Sequence, residues 1–192
     1  MASAYDDELW QLAGEDPGPP PAHLSQFVRS LPPAQRALDL GCGDGRLTSE
    51  LSPGRLTAAD VSVVALERAG GRLPAAELVE LDPDAPLPLA DNAFDLVLCA
   101  ETIEHVRDVA LLVSEARRVL EPGGTFAVTT PGHGRMSSVA MLAWGIENQL
   151  DPRSPHLRHF SARSLRGVLD EGGFDISSLR RRAGTLLAVA TR

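Results

Sequence analysis

Residues 36–45 read RALDLGCGDG, and the reading of this stretch decides the fold. Residues 37–40 are short and mostly apolar, as a buried strand requires. A turn with three alternating glycines, Gly41, Gly43 and Gly45, follows at once, and residues 46–51 (RLTSEL) predict a helix. Strand, glycine turn and helix start form a ligand cradle. Glycine reaches positive φ and lets a ligand approach the main chain closely, and the first N–H groups of a helix lack intrahelical partners. Spacing narrows the choice of ligand. A dinucleotide fingerprint needs G-x-G-x-x-G, but here the sixth position is Arg46 and the third glycine falls early, at Gly45. Asp39, two residues before the first glycine, suits a ligand with a positive ammonium better than a pyrophosphate.

The D-x-G-x-G-x-G of residues 39–45 resembles motif I of the class I S-adenosylmethionine-dependent methyltransferases, and the chain is similar to their type 11-like small-molecule branch. The resemblance runs from about residue 34 to the C-terminus. It implies an α/β fold: a Rossmann-like, doubly wound seven-stranded sheet of order 3-2-1-4-5-7-6, strand 7 antiparallel, with helices on both faces. It also implies S-adenosylmethionine as cofactor and S-adenosylhomocysteine as product. Gly41, Cys42, Gly43 and Gly45 would then lie against the methionine part, with Asp39 near its amino group.

The rest of the chain supplies the matching pieces. Residues 55–59 predict a second strand ending in Asp60, nineteen residues beyond Gly41. A carboxylate there offers paired acceptors to ribose hydroxyls; it is also placed to cap a helix over 61–69. Val61 follows it. Residues 76–81 predict a third strand, ending in Asp82. The run PDAPLPLADNAFD after it resembles the family stretch whose first acid meets the adenine amino group, which selects Asp82, with Asp84 as the alternative. Residues 94–100 (FDLVLCA) are apolar enough for a central parallel strand. Cys99 and Glu101 fall at its C-terminal end, where ligands bind in such sheets. A helix over 108–120, a strand over 125–130, a helix over 162–171 capped by Ser161, and a hairpin of 174–180 with 185–191 complete the pattern.

Two segments lie outside this core. Residues 1–33 hold a short acidic helix at 6–12, a Pro/Gly-rich linker at 14–21 and a helix at 22–30 stopped by Pro32-Pro33; this piece is either a lid on the cofactor side or a packing helix. Residues 132–160, with a helix over 137–149, form an insertion suited to covering a substrate.

Methyl transfer from a sulfonium is a displacement, so the protein mainly supplies proximity and orientation. A base is needed when the acceptor is a hydroxyl or a protonated amine. His105, His133, His156 and His159 are the candidates; His23 is expected at the surface. Glu101, Glu104 and His105 form E-x-x-E-H, which on a helical turn lies on one side. The motif resembles that of ubiquinone-pathway O-methyltransferases and small-RNA 2′-O-methyltransferases, where a downstream histidine completes a metal site; His156 or His159 would be its counterpart. No metal is the expectation, with Glu104 and His105 as capping and packing residues.

Composition sets outer bounds. The chain has 192 residues, 43% of them hydrophobic, so one domain can bury its own core. The N-terminus is acidic and lacks a signal pattern, and Cys42 and Cys99 have no framework spacing; a cytoplasmic protein without a membrane span is expected. The net charge of −8, with arginine as the only strong base, disfavours a general nucleic-acid binder. A methyltransferase acting on O or N of a small-molecule acceptor, as a monomer or homodimer, is the leading expectation. The alternatives are a small-RNA 2′-O-methyltransferase-like enzyme and a non-catalytic cofactor-binding partner subunit.

Overall fold

The deciding stretch forms β1 (Arg36–Leu40), an interior strand of a seven-stranded sheet. The computed structural model describes residues 2–14, 18–132 and 157–192. In chain order, α1 (Ala2–Leu12) and α2 (Ala22–Arg29) precede β1; then come β2 (Arg55–Asp60), α3 (Val63–Arg72), β3 (Glu77–Glu80), β4 (Phe94–Ala100), α4 (Val109–Val119), β5 (Leu120–Pro131), α5 (Ala162–Glu171), β6 (Asp175–Arg182) and β7 (Thr185–Thr191). The strand order is β3-β2-β1-β4-β5-β7-β6. Strands β3 to β5 run parallel, Leu38 pairing with Thr57 on one side and Val97 on the other. Strand β7 runs antiparallel between β5 and β6. The fold is the one the sequence resemblance implies.

Alternation along the strands builds two cores. Leu38, Val97, Cys99, Phe126 and Val128 face α4 and α5, packing on Val113, Ala116, Leu165 and Leu169. Ala37, Leu96, Leu98 and Ala127 face the other way, against Val28 of α2, while Ala58 meets Leu66 and Ala69 of α3. The start of the sheet is tied by Asp95, whose carboxylate accepts from the backbone N–H groups of Gln35 and Arg36. The β6–β7 hairpin turns on Ala183 and Gly184, both at positive φ (49° and 89°), which matches the right-handed strand twist.

Several expectations change. Residues 46–51 are not an α-helix; they hold one 3₁₀ turn, Thr48–Glu50. Thr48 is fully buried with its hydroxyl turned to Asp39, and Ser52-Pro53-Gly54 leads straight into β2, so no room for further turns exists. The helix after β2 is capped by Ser62, whose hydroxyl accepts from Ala65 N–H, and not by Asp60. Strand β5 begins at Leu120, five residues early, because Glu121–Gly124 is absorbed as an irregularity between the Phe94–Leu120 and Leu96–Thr125 pairs. His23 is half-buried, its Nε2 lying 3.1 Å from Thr185 Oγ1 on β7. The expected helix over 137–149 and most of the expected cover over 132–160 lie outside the described residues.

Candidate active site

The C-terminal ends of β3, β2, β1 and β4 bring Asp82, Asp60, the glycine turn and Glu101 to one edge of the sheet. Gly41, Gly43 and Gly45 have φ of +82°, +55° and +77°, the left-handed region that glycine enters without strain. Space is equally limiting. A Cβ on Gly41 would overlap the Thr102 side chain, and one on Gly43 would sit 2.7 Å from Trp10 Cζ2. The turn is held from below, as Gly41 and Cys42 N–H both donate to Ala59 C=O.

Asp39 lies beneath this turn and is 3% exposed. Thr48 Oγ1 donates to its Oδ2 at 2.6 Å, while Oδ1 has no hydrogen-bond partner. Burial, with repulsion from Asp60 and against the Thr48 hydrogen bond, pushes this carboxyl up to about 7. An orphaned buried carboxylate oxygen beside the glycine turn is an acceptor that a cationic N–H donor could satisfy.

Asp60 does more than wait for a ligand. Its Oδ2 accepts from Gly43 N–H at 2.8 Å and its Oδ1 from Ser62 N–H at 2.9 Å, so it joins the glycine turn to the start of α3. Each oxygen keeps a second lone pair for a diol. Burial raises its pKa, against the lowering effect of these hydrogen bonds. Val61 beside it is half-buried. Asp82 is exposed and accepts from Asp84 N–H at 2.9 Å; Asp84 pairs with Arg107 at 3.3 Å.

The two cysteines sit elsewhere. Cys42 points its thiol toward Ala58, Leu66 and Leu73 under α3, and Cys99 is enclosed in the α4–α5 core. Burial raises both thiols far above their ordinary range. Each therefore offers the site only backbone.

Residues 101–105 form turns rather than a helix, with Glu101 in the left-handed region at φ 53°. Its carboxylate accepts from Thr129 Oγ1 at 2.8 Å; Glu104, 2% exposed, accepts from Thr130 Oγ1 at 2.9 Å. The two acids are thus threaded onto neighbouring residues of β5. Burial pushes both carboxyls up to about 7, and their mutual repulsion adds to the rise at Glu101. His105 Nε2 lies 3.9 Å from Glu104 Oε1. Among the described residues no cluster of three or more His, Cys, Asp or Glu side chains is arranged to hold a metal. His159 is exposed; His133 and His156 lie outside the described residues.

The structure adds residues that sequence reasoning passed over. Thr48 and Thr102 brace the turn from either side, Thr102 Oγ1 donating to Gly41 C=O at 3.2 Å. Helix α1 crosses the same edge. Asp7 accepts from Ser62 Oγ at 2.6 Å, Trp10 covers Gly43 with Arg68 5.9 Å from its ring, and Asp6 faces His105 and Arg107. The linker is pinned too, with Arg46 donating to Gly18 C=O and Arg68 to Gly14 C=O.

Comparison with known proteins agrees with this geometry. Residues 38–128 match the family model described as a methyltransferase domain. The chain is 31% identical over 173 residues to a ubiquinone biosynthesis O-methyltransferase of Azorhizobium caulinodans, covering 82% of this chain and 66% of that one. It is 30% identical over 144 residues to an uncharacterized methyltransferase of Mycobacterium bovis, covering 70% and 73%. The fold is similar to a crystal structure of a SAM-dependent methyltransferase from Aquifex aeolicus, at 18% identity and TM-score 0.70, covering 97% and 98%. The chain spans about half the length of several other curated relatives it matches.

Proposed function

Because the chain belongs to the class I S-adenosylmethionine-dependent methyltransferases, we propose that it moves a methyl group from S-adenosylmethionine to O or N of a small-molecule acceptor. The observation that carries the reading is Asp39: a buried carboxylate with one orphaned oxygen under a glycine turn fits the cofactor's ammonium. Asp60 would take the ribose hydroxyls, Asp82 would meet the adenine, and Glu101 would lie beside the methionine portion. Bound there, the cofactor supplies a methyl activated on a sulfonium. The chain's part is to orient and to exclude water. Helix α1 acts as a lid, closing over the turn through Trp10 and Asp7.

His105 is the base in this reading, accepting a proton from the acceptor, with Glu104 beside it. Both glutamates are already held by threonines of β5, which supports a structural role for them and a reaction without a metal. The test is S-adenosylhomocysteine release over a panel of small hydroxyl and amine acceptors, with RNA for comparison. Turnover on a small acceptor, lost in His105→Ala with cofactor affinity retained, is the expected result. Turnover on RNA alone, or cofactor binding without turnover on any acceptor, contradicts it.

A further inference from the structure

Helices α4 and α5 leave between them a groove of about 1000 Å³ whose walls carry Arg107, Arg117, Arg118, Arg158 and Arg192. Its floor is apolar, from Val109, Val113, Phe160 and Val168. Among the described residues lining it, none belongs to the glycine turn and none is Asp60, Asp82 or Glu101. We infer that this groove is a binding site for an amphipathic organic anion: a carboxylate, sulfonate or phosphate carried on a hydrophobic body.

Charge is the first reason. The chain carries a net −8, yet residues 157–192 hold seven arginines against Asp170, Glu171 and Asp175. Arg118 is neutralised by Asp91 and Glu115, and Arg107 pairs with Asp84. Arg117, Arg158 and Arg192 differ. Among the described residues their side chains donate only to carbonyl or amide oxygens: Arg117 Nε to Gly173 C=O at 3.1 Å, Arg158 to Val106 and Arg107 C=O, and Arg192 to Leu120 C=O and Asn92 Oδ1. Such partners aim a guanidinium without cancelling its charge. Of the two acid side chains lining the groove, Asp108 spends its carboxylate capping α4 through Leu111 N–H, which leaves Glu171, near the Gly173 carbonyl that holds Arg117, against the five arginines.

Shape is the second. The volume is that of a small-molecule site, an apolar concavity with a few placed polar groups. Low-dielectric walls of one sign focus the field on an anion. Guanidinium forks fixed by backbone carbonyls are preorganised for a carboxylate or phosphate, so little side-chain entropy is lost on binding.

The experiment uses the full chain and 8-anilinonaphthalene-1-sulfonate as probe, read by fluorescence at low salt. Saturable binding of one dye per chain is expected, weakened at least tenfold in an Arg117→Glu/Arg158→Glu double variant. It should be unchanged in an Arg180→Glu/Arg182→Glu double variant, which reverses the same amount of charge on the exposed β6 strand. S-adenosylhomocysteine should not displace the dye. Circular dichroism melting confirms that each variant is folded; should the double variant melt without cooperativity, Arg117→Gln is read instead, with a loss of at least threefold. Absence of saturable binding, displacement by S-adenosylhomocysteine, equal loss in Arg180→Glu/Arg182→Glu, or no loss in the folded groove variants each overturns the inference.

Discussion

Thr48 Oγ1 donates to Asp39 Oδ2 at 2.6 Å and leaves Asp39 Oδ1 buried with no hydrogen-bond partner. Burial pushes the Asp39 carboxyl up to about 7, so near neutrality it is partly protonated in the free chain. An ammonium beside it favours the carboxylate. Cofactor binding should therefore release a proton. Affinity for S-adenosylhomocysteine should rise with pH up to about 7 and flatten above, by at most about tenfold per unit for one linked proton. Asp39→Asn should remove the slope and weaken binding. Calorimetric titrations between pH 5.5 and 8, in two buffers of different ionisation enthalpy, check this.

Asp60 joins the glycine turn to α3 and is also the proposed ribose ligand, so its loss should show twice. Asp60→Ala should weaken S-adenosylhomocysteine by about 2–4 kcal/mol, the range for paired hydrogen bonds to a charge. It should also lower the melting temperature of the ligand-free chain. Gly43→Val should be worse for binding, since its φ is positive and Trp10 occupies the space a side chain would need. Calorimetry and thermal melts on the same samples separate the two effects.

Trp10 covers Gly43 from α1. Trp10→Ala should accelerate S-adenosylhomocysteine release by roughly tenfold, equivalent to about 1.4 kcal/mol, with little change in far-UV circular dichroism. Stopped-flow displacement measures it. An unchanged rate would make α1 a packing helix.

Glu104 is buried with one carboxylate oxygen lacking a hydrogen bond, and burial pushes its carboxyl up to about 7. An acid raised in the folded state contributes stability that is present below its unfolded value and lost as pH rises through the folded one. Glu104→Gln should thus stabilise the chain at pH 8 by on the order of 2–3 kcal/mol, and hardly at pH 4.5. Melting temperatures of both proteins across that range give the answer. In the same preparations, a chelator should leave turnover unchanged; loss of activity restored by one divalent metal would contradict the reading of Glu101 and Glu104 as structural acids.

The sheet was legible because its signals are local: an apolar strand before alternating glycines, an acid closing β2, a bare apolar run for β4. The errors arose where tertiary contacts overrode local preference. RLTSEL has helical propensity, but Thr48 turns inward to Asp39 and the chain must reach β2 within a few residues. E-x-x-E-H has helical spacing, but each glutamate is drawn to a threonine of β5, a partner distant in sequence. Cys42 and Cys99 stand among site residues in the sequence, while the turn after β1 packs the Cys42 side chain under α3 and alternation along β4 sends that of Cys99 into the α4–α5 core. Trp10 carries no motif at all; only the packing of α1 brings it onto Gly43.

The most direct measurement is titration of the full, folded chain with S-adenosylhomocysteine in a calorimeter, with NAD in a parallel run. The account predicts saturable one-to-one binding of S-adenosylhomocysteine and no heat of binding from NAD. No binding of S-adenosylhomocysteine by the folded chain, or binding of NAD alone, would contradict it.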